Sequence, residues 1–254
     1  INQYFVQANN SSYYTDQYSL TLMGGSGTWG EWRTKTLSGP ELNGITASQW
    51  SGMPDSVIKS LDALVQWPQM DVADLKALSG TQWAAMDTDD LAGLTSTQWA
   101  GLDRADLIEL TPLQWPWVPV SSLNVMPDGT WSGMQADDLR SLVASQWAGL
   151  ATQALRALTP TQWAALDSDD LRALTTSQWA SLSTDDLRGL TPTQWSIAET
   201  ADLRALSAEQ WAAMSTEDLR GLQALQWASA ESADLVGLGP TQWAALEPSM
   251  LVAL

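Results

Sequence analysis

The sequence predicts a mainly α-helical solenoid of very short helices, two octads to each 16-residue layer, with a small β-rich segment at its N-terminus. Three observations predict it: a tryptophan every sixteen residues, a capping residue at the head of each octad, and a change of composition near residue 37. The recurring tryptophans are Trp50, Trp67, Trp83, Trp99, Trp115, Trp131, Trp147, Trp163, Trp179, Trp195, Trp211, Trp227 and Trp243. Only the first interval, of seventeen residues, departs from the period. A fixed period of this length marks a repeat architecture, in which each unit buries its apolar face against its neighbours.

Residues 1–37 differ in kind from the rest. They hold all four tyrosines and the only phenylalanine, together with the glycine-rich run at 24–27. Tyr4, Val6 and Ala8 alternate with polar residues, as do Tyr18, Leu20 and Leu22. The alternation predicts two short strands joined by a polar Asn-Ser turn. A two-stranded hairpin is marginal alone, so this one is expected to pack on the array or on another chain.

The repeat region, residues 38–254, begins at Ser38. Its unit is a pair of related octads, such as TPTQWAAL at 159–166 and DSDDLRAL at 167–174. The leading Thr, Ser or Asp can accept a backbone N–H and cap a helix. Proline often follows, at Pro112, Pro160, Pro192 and Pro240, where the missing N–H costs nothing. Gln or an acid stands three residues after the cap, the partner expected in a capping box. An apolar residue, two small or polar residues and Leu or Met complete the octad, so each reads as a helix of about six residues.

One continuous helix is excluded. An octad advances the apolar face of an α-helix by about 80°, so a stripe would wander within three octads. If each octad ends in a corner, every apolar pair points to one axis. Layers about 8–10 Å apart would give a rod of roughly 100–130 Å, with indole rings too far apart for direct stacking. The segment WPWVP at 115–119 departs most from the repeat, yet Val118, Leu123 and Met126 keep the apolar slots, so a local bulge is expected. The last octad carries no polar capping repeat, which implies either more chain or a covering subunit. The opening Ile1 suggests a processed start.

Charge and composition exclude several functions. With 29 acidic against 11 basic residues the net charge is -18, which opposes nucleic acid and anionic membrane surfaces. No stretch of eighteen or more apolar residues exists to be inserted in a membrane. The chain has no cysteine and no histidine. Disulfides, thiolate metal sites, the commonest general base and the Ser-His-Asp arrangement are therefore absent. No cofactor, metal or catalytic residue is expected.

The candidate residues divide by role. The thirteen tryptophans read as core, with indole N–H groups reaching a neighbouring carbonyl or Gln. Trp29, Trp32 and Trp117 lie off the ladder and suit an exposed contact. Gln precedes every ladder tryptophan except Trp131, where Thr130 stands instead; a capping-box role explains this, and an amide ladder is a compatible extra. The acid groups Asp87, Asp89, Asp90 and Asp167, Asp169, Asp170 read as caps rather than calcium ligands, since their spacing reproduces no calcium loop. Arg140, Arg156, Arg172, Arg188, Arg204 and Arg220 form a column that either pairs laterally with aspartates or faces solvent. Tyr4, Phe5, Val6, Tyr18, Leu20, Leu22, Leu251 and Leu254 are the candidate assembly contacts.

The frame Leu-Thr-x-x-Gln-apolar-x-x-Leu, seen as LTPTQWAAL at 158–166, resembles the short-helix octapeptide repeats of the ALTTxQIxAL type in very large bacterial surface proteins, adhesin-like or haemagglutinin-like. The resemblance covers residues 38–254, with Trp where those repeats carry Ile or Val. It implies an extracellular or cell-surface stalk, fibre or adhesin and not an enzyme. The expected function is a structural repeat protein that builds a filament by head-to-tail contact between copies of itself, with a surface or matrix polymer as a further partner. The alternative is a solenoid binding module for a peptide, glycan or surface polymer. A filament subunit needs complementary apolar ends, whereas a monomeric binder needs capped ends and one unusual lateral face.

Overall fold

Each octad closes on itself before it meets its neighbours. In the computed structural model, which describes residues 38–253, the octads form helices of four to six residues. The helix Pro160–Ala165 shows how. Its cap, Thr159, is extended; Gln162 Oε1 accepts the Thr159 N–H at 2.7 Å, and Thr159 Oγ1 accepts the Gln162 N–H at 3.3 Å. In the sister helix Ser168–Ala173, Asp167 Oδ1 accepts the N–H groups of Asp169 and Asp170, while Asp170 Oδ2 accepts the N–H of Asp167 at 3.0 Å. Leu166 and Leu174 then return to extended backbone and end the helices. Reciprocal capping satisfies donors that a helix this short would otherwise leave open. The expected short helices are thus present. Among the described residues there are no strands, and the β-rich segment expected at 1–37 lies outside them.

Proline sets the exceptions. Where the octad opens on Pro54, Pro119 or Pro127, the cap has no N–H to offer. The residue three positions on is then Val57, Ser122 or Thr130, not Gln or an acid. At 115–119 a 3-10 turn, Trp115–Trp117, replaces the α-helix, while Val118, Leu123 and Met126 stay buried. The bulge expected there leaves the core path intact.

The described residues divide into two compact units, one up to Thr130 and one from Trp131 onward, and the octad grammar runs through each. Within both units a helix packs on the one three octads further along. Ala47–Ser51 meets Val72–Lys76 in the first, and Pro192–Trp195 meets Thr216–Gly221 in the second. Hydrogen bonds from Gln side chains reach back four octads, as from Gln82 to Trp50 and from Gln194 to Trp163. The path therefore completes a turn in between three and four octads. This corrects the layer of two octads expected from the sequence. Two corners per layer would fold each helix back on its predecessor but one. The extended Leu or Met between helices instead opens the corner, and contact recurs at three and four units.

Close approach between these neighbours fixes a second pattern. The first helical residue of one octad faces the seventh residue of the octad three further on. Thr152 Oγ1 lies 3.2 Å from Ser181 Oγ in this way. A Cβ at Gly221 would come within 2.5 Å of the Pro192 carbonyl oxygen, and one at Gly101 within 2.7 Å of a Val72 methyl. Backbone cannot give way, but a methyl can be removed. Gly101→Ala is expected to cost about 1–3 kcal/mol from overpacking. In a Val72→Ala background the same change should become neutral or stabilising by up to about 1 kcal/mol, since Ala favours helix over Gly. Urea denaturation of the double-mutant cycle reads the sign, and equal effects in both backgrounds would contradict the contact.

Candidate functional site

The buried polar residues of the described chain are mostly the glutamines and aspartates at the octads' capping positions. From Trp50 to Trp227 every ladder tryptophan is under 2% exposed, as predicted for a core, while Trp243 is half-buried. The rings are nearer to one another than layer spacing predicts. The ring centroids of Trp179 and Trp195 are 6.0 Å apart at 46°, and those of Trp211 and Trp227 are 6.1 Å apart at 46°. Tryptophans two octads apart lie across a turn of three to four octads, so their rings converge on its interior instead of stacking along it. Such tilted pairs add about 0.5–1.5 kcal/mol beyond area burial.

Each bridging glutamine uses its whole amide. Besides the cap described above, Gln194 Nε2 donates to the carbonyl oxygens of Trp163 and Leu166, both at 2.8 Å. Gln162 does the same to Trp131 and Met134, and Gln178 to Trp147 and Leu150. In the first unit Gln82, Gln98 and Gln114 reach Trp50, Trp67 and Trp83 and the residue three after each. Two donors and two acceptor sites are the full capacity of a primary amide. Glutamine therefore closes its own helix and tethers the open C-terminal carbonyls of the helix four octads earlier. The amide-to-amide ladder considered from the sequence is replaced by this amide-to-backbone bridge.

Aspartate takes the capping position of most alternate octads, and three of these aspartates make a further contact. Asp74, Asp90 and Asp170 accept the indole N–H of Trp50, Trp67 and Trp147 at 3.0, 2.8 and 3.0 Å. These tryptophans lie three octads back, whereas the glutamine bridges span four, so the two residue types reach neighbours at different distances. Indole N–H groups were expected to reach carbonyls or Gln; the carbonyls are already taken by the glutamines. The indole N–H groups of Trp83, Trp99, Trp131, Trp163, Trp179, Trp195, Trp211 and Trp227 are buried with no partner. Such an orphan costs about 1–3 kcal/mol. Burying about 150–250 Å² of tryptophan contributes about 4–6 kcal/mol, so the ring's burial prevails.

Burial pushes the carboxyls of Asp74, Asp90 and Asp170 up to about 6. It also raises those of Asp106 and Asp202. A carboxyl raised on folding favours the fold when protonated. Its contribution is fully present below the usual carboxylate range and is lost as pH rises through 6. The array is therefore expected to melt at a higher temperature at pH 5 than at pH 7.5, as followed by circular dichroism. Asp90→Asn should flatten part of that dependence, and a lower melting temperature at pH 5 would contradict it.

Four arginines of the column cap helices. Arg140, Arg156, Arg204 and Arg220 donate to the carbonyl oxygens of Ala165, Ser181, Ser229 and Ala245, at 2.7 to 3.0 Å. Each reaches the C-terminal end of the helix three octads on, where positive charge is favoured. The lateral pairing with aspartate considered from the sequence is not how they act. The ion pairs Arg188–Asp185 and Arg140–Asp137 are local, exposed i,i+3 contacts worth about 0–1 kcal/mol.

The remaining candidates fall as follows. Asp87 and Asp167 cap their helices, and Asp90 and Asp170 bond indoles, which accounts for the acid groups. Among the described residues no group of three or more acids is placed to hold a metal ion, and no helix is long and apolar enough to cross a membrane. Trp117 is 58% exposed and Leu251 47%. Tyr4, Phe5, Val6, Tyr18, Leu20, Leu22, Trp29, Trp32 and Leu254 lie outside the described residues. Sequence reasoning missed the second role of glutamine and the reach of arginine. The signal for the first was present: Gln precedes every ladder Trp but one, while Asp precedes Leu in most of the other octads.

Comparison with known proteins places part of this array. A family model for the ALTTAQ repeat matches residues 68–104 and 163–196. Both stretches contain the capped Gln-Trp and Asp-Leu octads described above. No curated protein matches the chain. The chain is thus a repeat protein of short helices, similar over these stretches to the ALTTAQ repeat.

Proposed function

We propose that this chain is a structural repeat protein that extends a filament, stalk or adhesive fibre outside the cell, by contact between copies of itself. The observation that carries the reading is the bridge register. Each bridging glutamine donates its amide N–H groups to two carbonyls four octads back, and its own octad offers two carbonyls to whatever stands four octads further on. Any segment in phase can occupy that place, whether it comes from the same chain or from the first octads of a second copy. The net charge of -18 opposes casual association and leaves register-specific contact as the favoured kind. A heterologous contact of this type propagates unless its rotation closes a ring. The placement outside the cell rests on the likeness of the octads to repeats of bacterial surface proteins.

The test is negative-stain microscopy with light scattering over a concentration series of the intact chain. Linear assemblies that lengthen with concentration are expected. Deleting residues 1–37 should shorten them if that segment supplies the partner surface. A chain that stays monomeric at high concentration overturns the filament and favours the binding-module alternative.

A further inference from the structure

The outer wall of the first unit departs from the repeat along one stripe. Helix Thr88–Gly93 packs against two 3-10 turns, Trp67–Gln69 from three octads earlier and Trp115–Trp117 from three octads later. A Cβ at Gly93 would collide with the Ala63 carbonyl oxygen, so glycine lets the earlier octad lie this close. In the register described above, Leu64 stands at Gly93 and Trp117 at Thr88. Asp62 Oδ1 accepts the N–H groups of Leu64 and Val65 at 2.9 and 3.0 Å, which fixes the backbone that carries them. Leu64 is 86% exposed, Leu113 84% and Trp117 58%. Other Gln-Trp octads carry Thr81 or Thr97 in the position of Leu113, and Ala85 or Gly101 in that of Trp117. Ala92, also exposed, takes the position that the arginine column holds in the second unit. The surroundings are charged in one sense only. Asp62, Asp87 and Asp89 are exposed in the same three octads, and residues 62–70, 87–94 and 111–118 contain no lysine or arginine.

We propose that this stripe docks a peptide segment of another protein that combines aliphatic side chains with arginine or lysine. A contiguous exposed apolar surface rimmed by polar groups is the mark of an interaction site. Leu64, Val65, Ala92 and Leu113 receive the aliphatic side chains. The cation lies on the face of Trp117, where the neighbouring Thr88 is flanked by Asp87 and Asp89, so an indole face and two carboxylates share it. Three successive turns in helix contact span about 16–20 Å, the length of five or six extended residues. A second copy of this chain is a poor occupant. It brings a further net charge of -18, and stripe against stripe would set carboxylates against carboxylates. A neutral sugar would use the indole but leave Leu64 and Val65 uncovered. The stripe does not depend on the filament reading and serves a monomer as well.

The probe is a fluorescein-labelled peptide that presents two leucines, an arginine and a leucine in turn, with serine between them. It is titrated with the full chain and followed by fluorescence anisotropy. One control peptide carries glutamate for the arginine, and another carries serine for every leucine. Saturable binding of the first peptide alone, weakened by added salt, is expected. Trp117→Ala together with Leu113→Thr should weaken it about tenfold, as for the anchors of an interface. Both changes restore residues the repeat uses, so the helical spectrum should be unaltered. Asp89→Asn should weaken binding about threefold and flatten its salt dependence. Leu225→Thr, at the octad position of Leu113 but in the second unit and 78% exposed, should leave it unchanged. No saturable binding, equal binding of either control peptide, or undiminished binding by the Trp117→Ala, Leu113→Thr protein overturns the proposal. Displacement of the peptide by neutral maltohexaose overturns it in favour of a glycan. Self-association that the same two substitutions abolish overturns it in favour of a second copy. Tighter binding of a synthetic peptide of residues 1–22 overturns it in favour of the chain's own segment.

Discussion

Replacing Trp179 by alanine is expected to destabilise its unit by about 3–5 kcal/mol, the range for truncating a large core side chain. Trp179 is 1% exposed and meets the ring of Trp195 at 6.0 Å. The pattern of damage is more informative than its size. Stability in a repeat array is carried by nearest neighbours. Here the spatial neighbours lie two to four octads away, around residues 143–158 and 191–214. Hydrogen exchange by mass spectrometry should show protection lost there together with the mutated octad. Uniform loss across both units, or loss confined to the octads adjacent in sequence, would contradict the packing.

The second large effect is isosteric. Gln194→Glu keeps the oxygen that caps Thr191 but exchanges the two N–H groups facing the Trp163 and Leu166 carbonyls for an oxygen. Gln194 is 7% exposed, so the new carboxylate is buried among acceptors. A buried charge without its partner costs about 3–5 kcal/mol. Gln194→Ala loses the same bonds without adding charge and should cost less. Protonation restores one donor to glutamate, so Gln194→Glu should recover stability between pH 7.5 and pH 5 more than the wild type does. Urea unfolding at both pH values checks this. A Gln194→Glu protein as stable as wild type at pH 7.5 would remove the bridge from the account.

Much of the local structure was legible in the sequence because its causes are local. Thr159, Asp167 and Gln162 announce caps by type and spacing, and Pro160 marks the first helical position. The core was legible for the same reason: Trp163 and Leu171 occupy equivalent slots, and slots that recur without polar exception are buried. The turn was not legible. The distance at which octads meet depends on the small backbone angle set by extended residues such as Leu166 and Leu174, and no residue type encodes that angle. With the turn misjudged at two octads, the tryptophan rings were placed too far apart and the arginines were aimed sideways. The alternation of Gln with Trp and Asp with Leu contained the missing information, since two different polar partners imply neighbours at both an even and an odd number of octads.

The measurement that tests the three-to-four-octad turn most directly uses the absence of native cysteine. Thr152 and Ser181, three octads apart with their hydroxyl oxygens 3.2 Å from each other, are replaced together by cysteine. The control replaces Thr152 and Ala173, the equivalent pair two octads apart. A disulfide needs Cβ atoms about 3.5–4.5 Å apart, so it reports contact and little else. Under mild oxidation the Thr152–Ser181 pair is predicted to close rapidly and quantitatively within the monomer, leaving the helical spectrum unchanged, while the Thr152–Ala173 pair stays reduced. Closure of the Thr152–Ala173 pair in preference would restore the two-octad layer and contradict the architecture described.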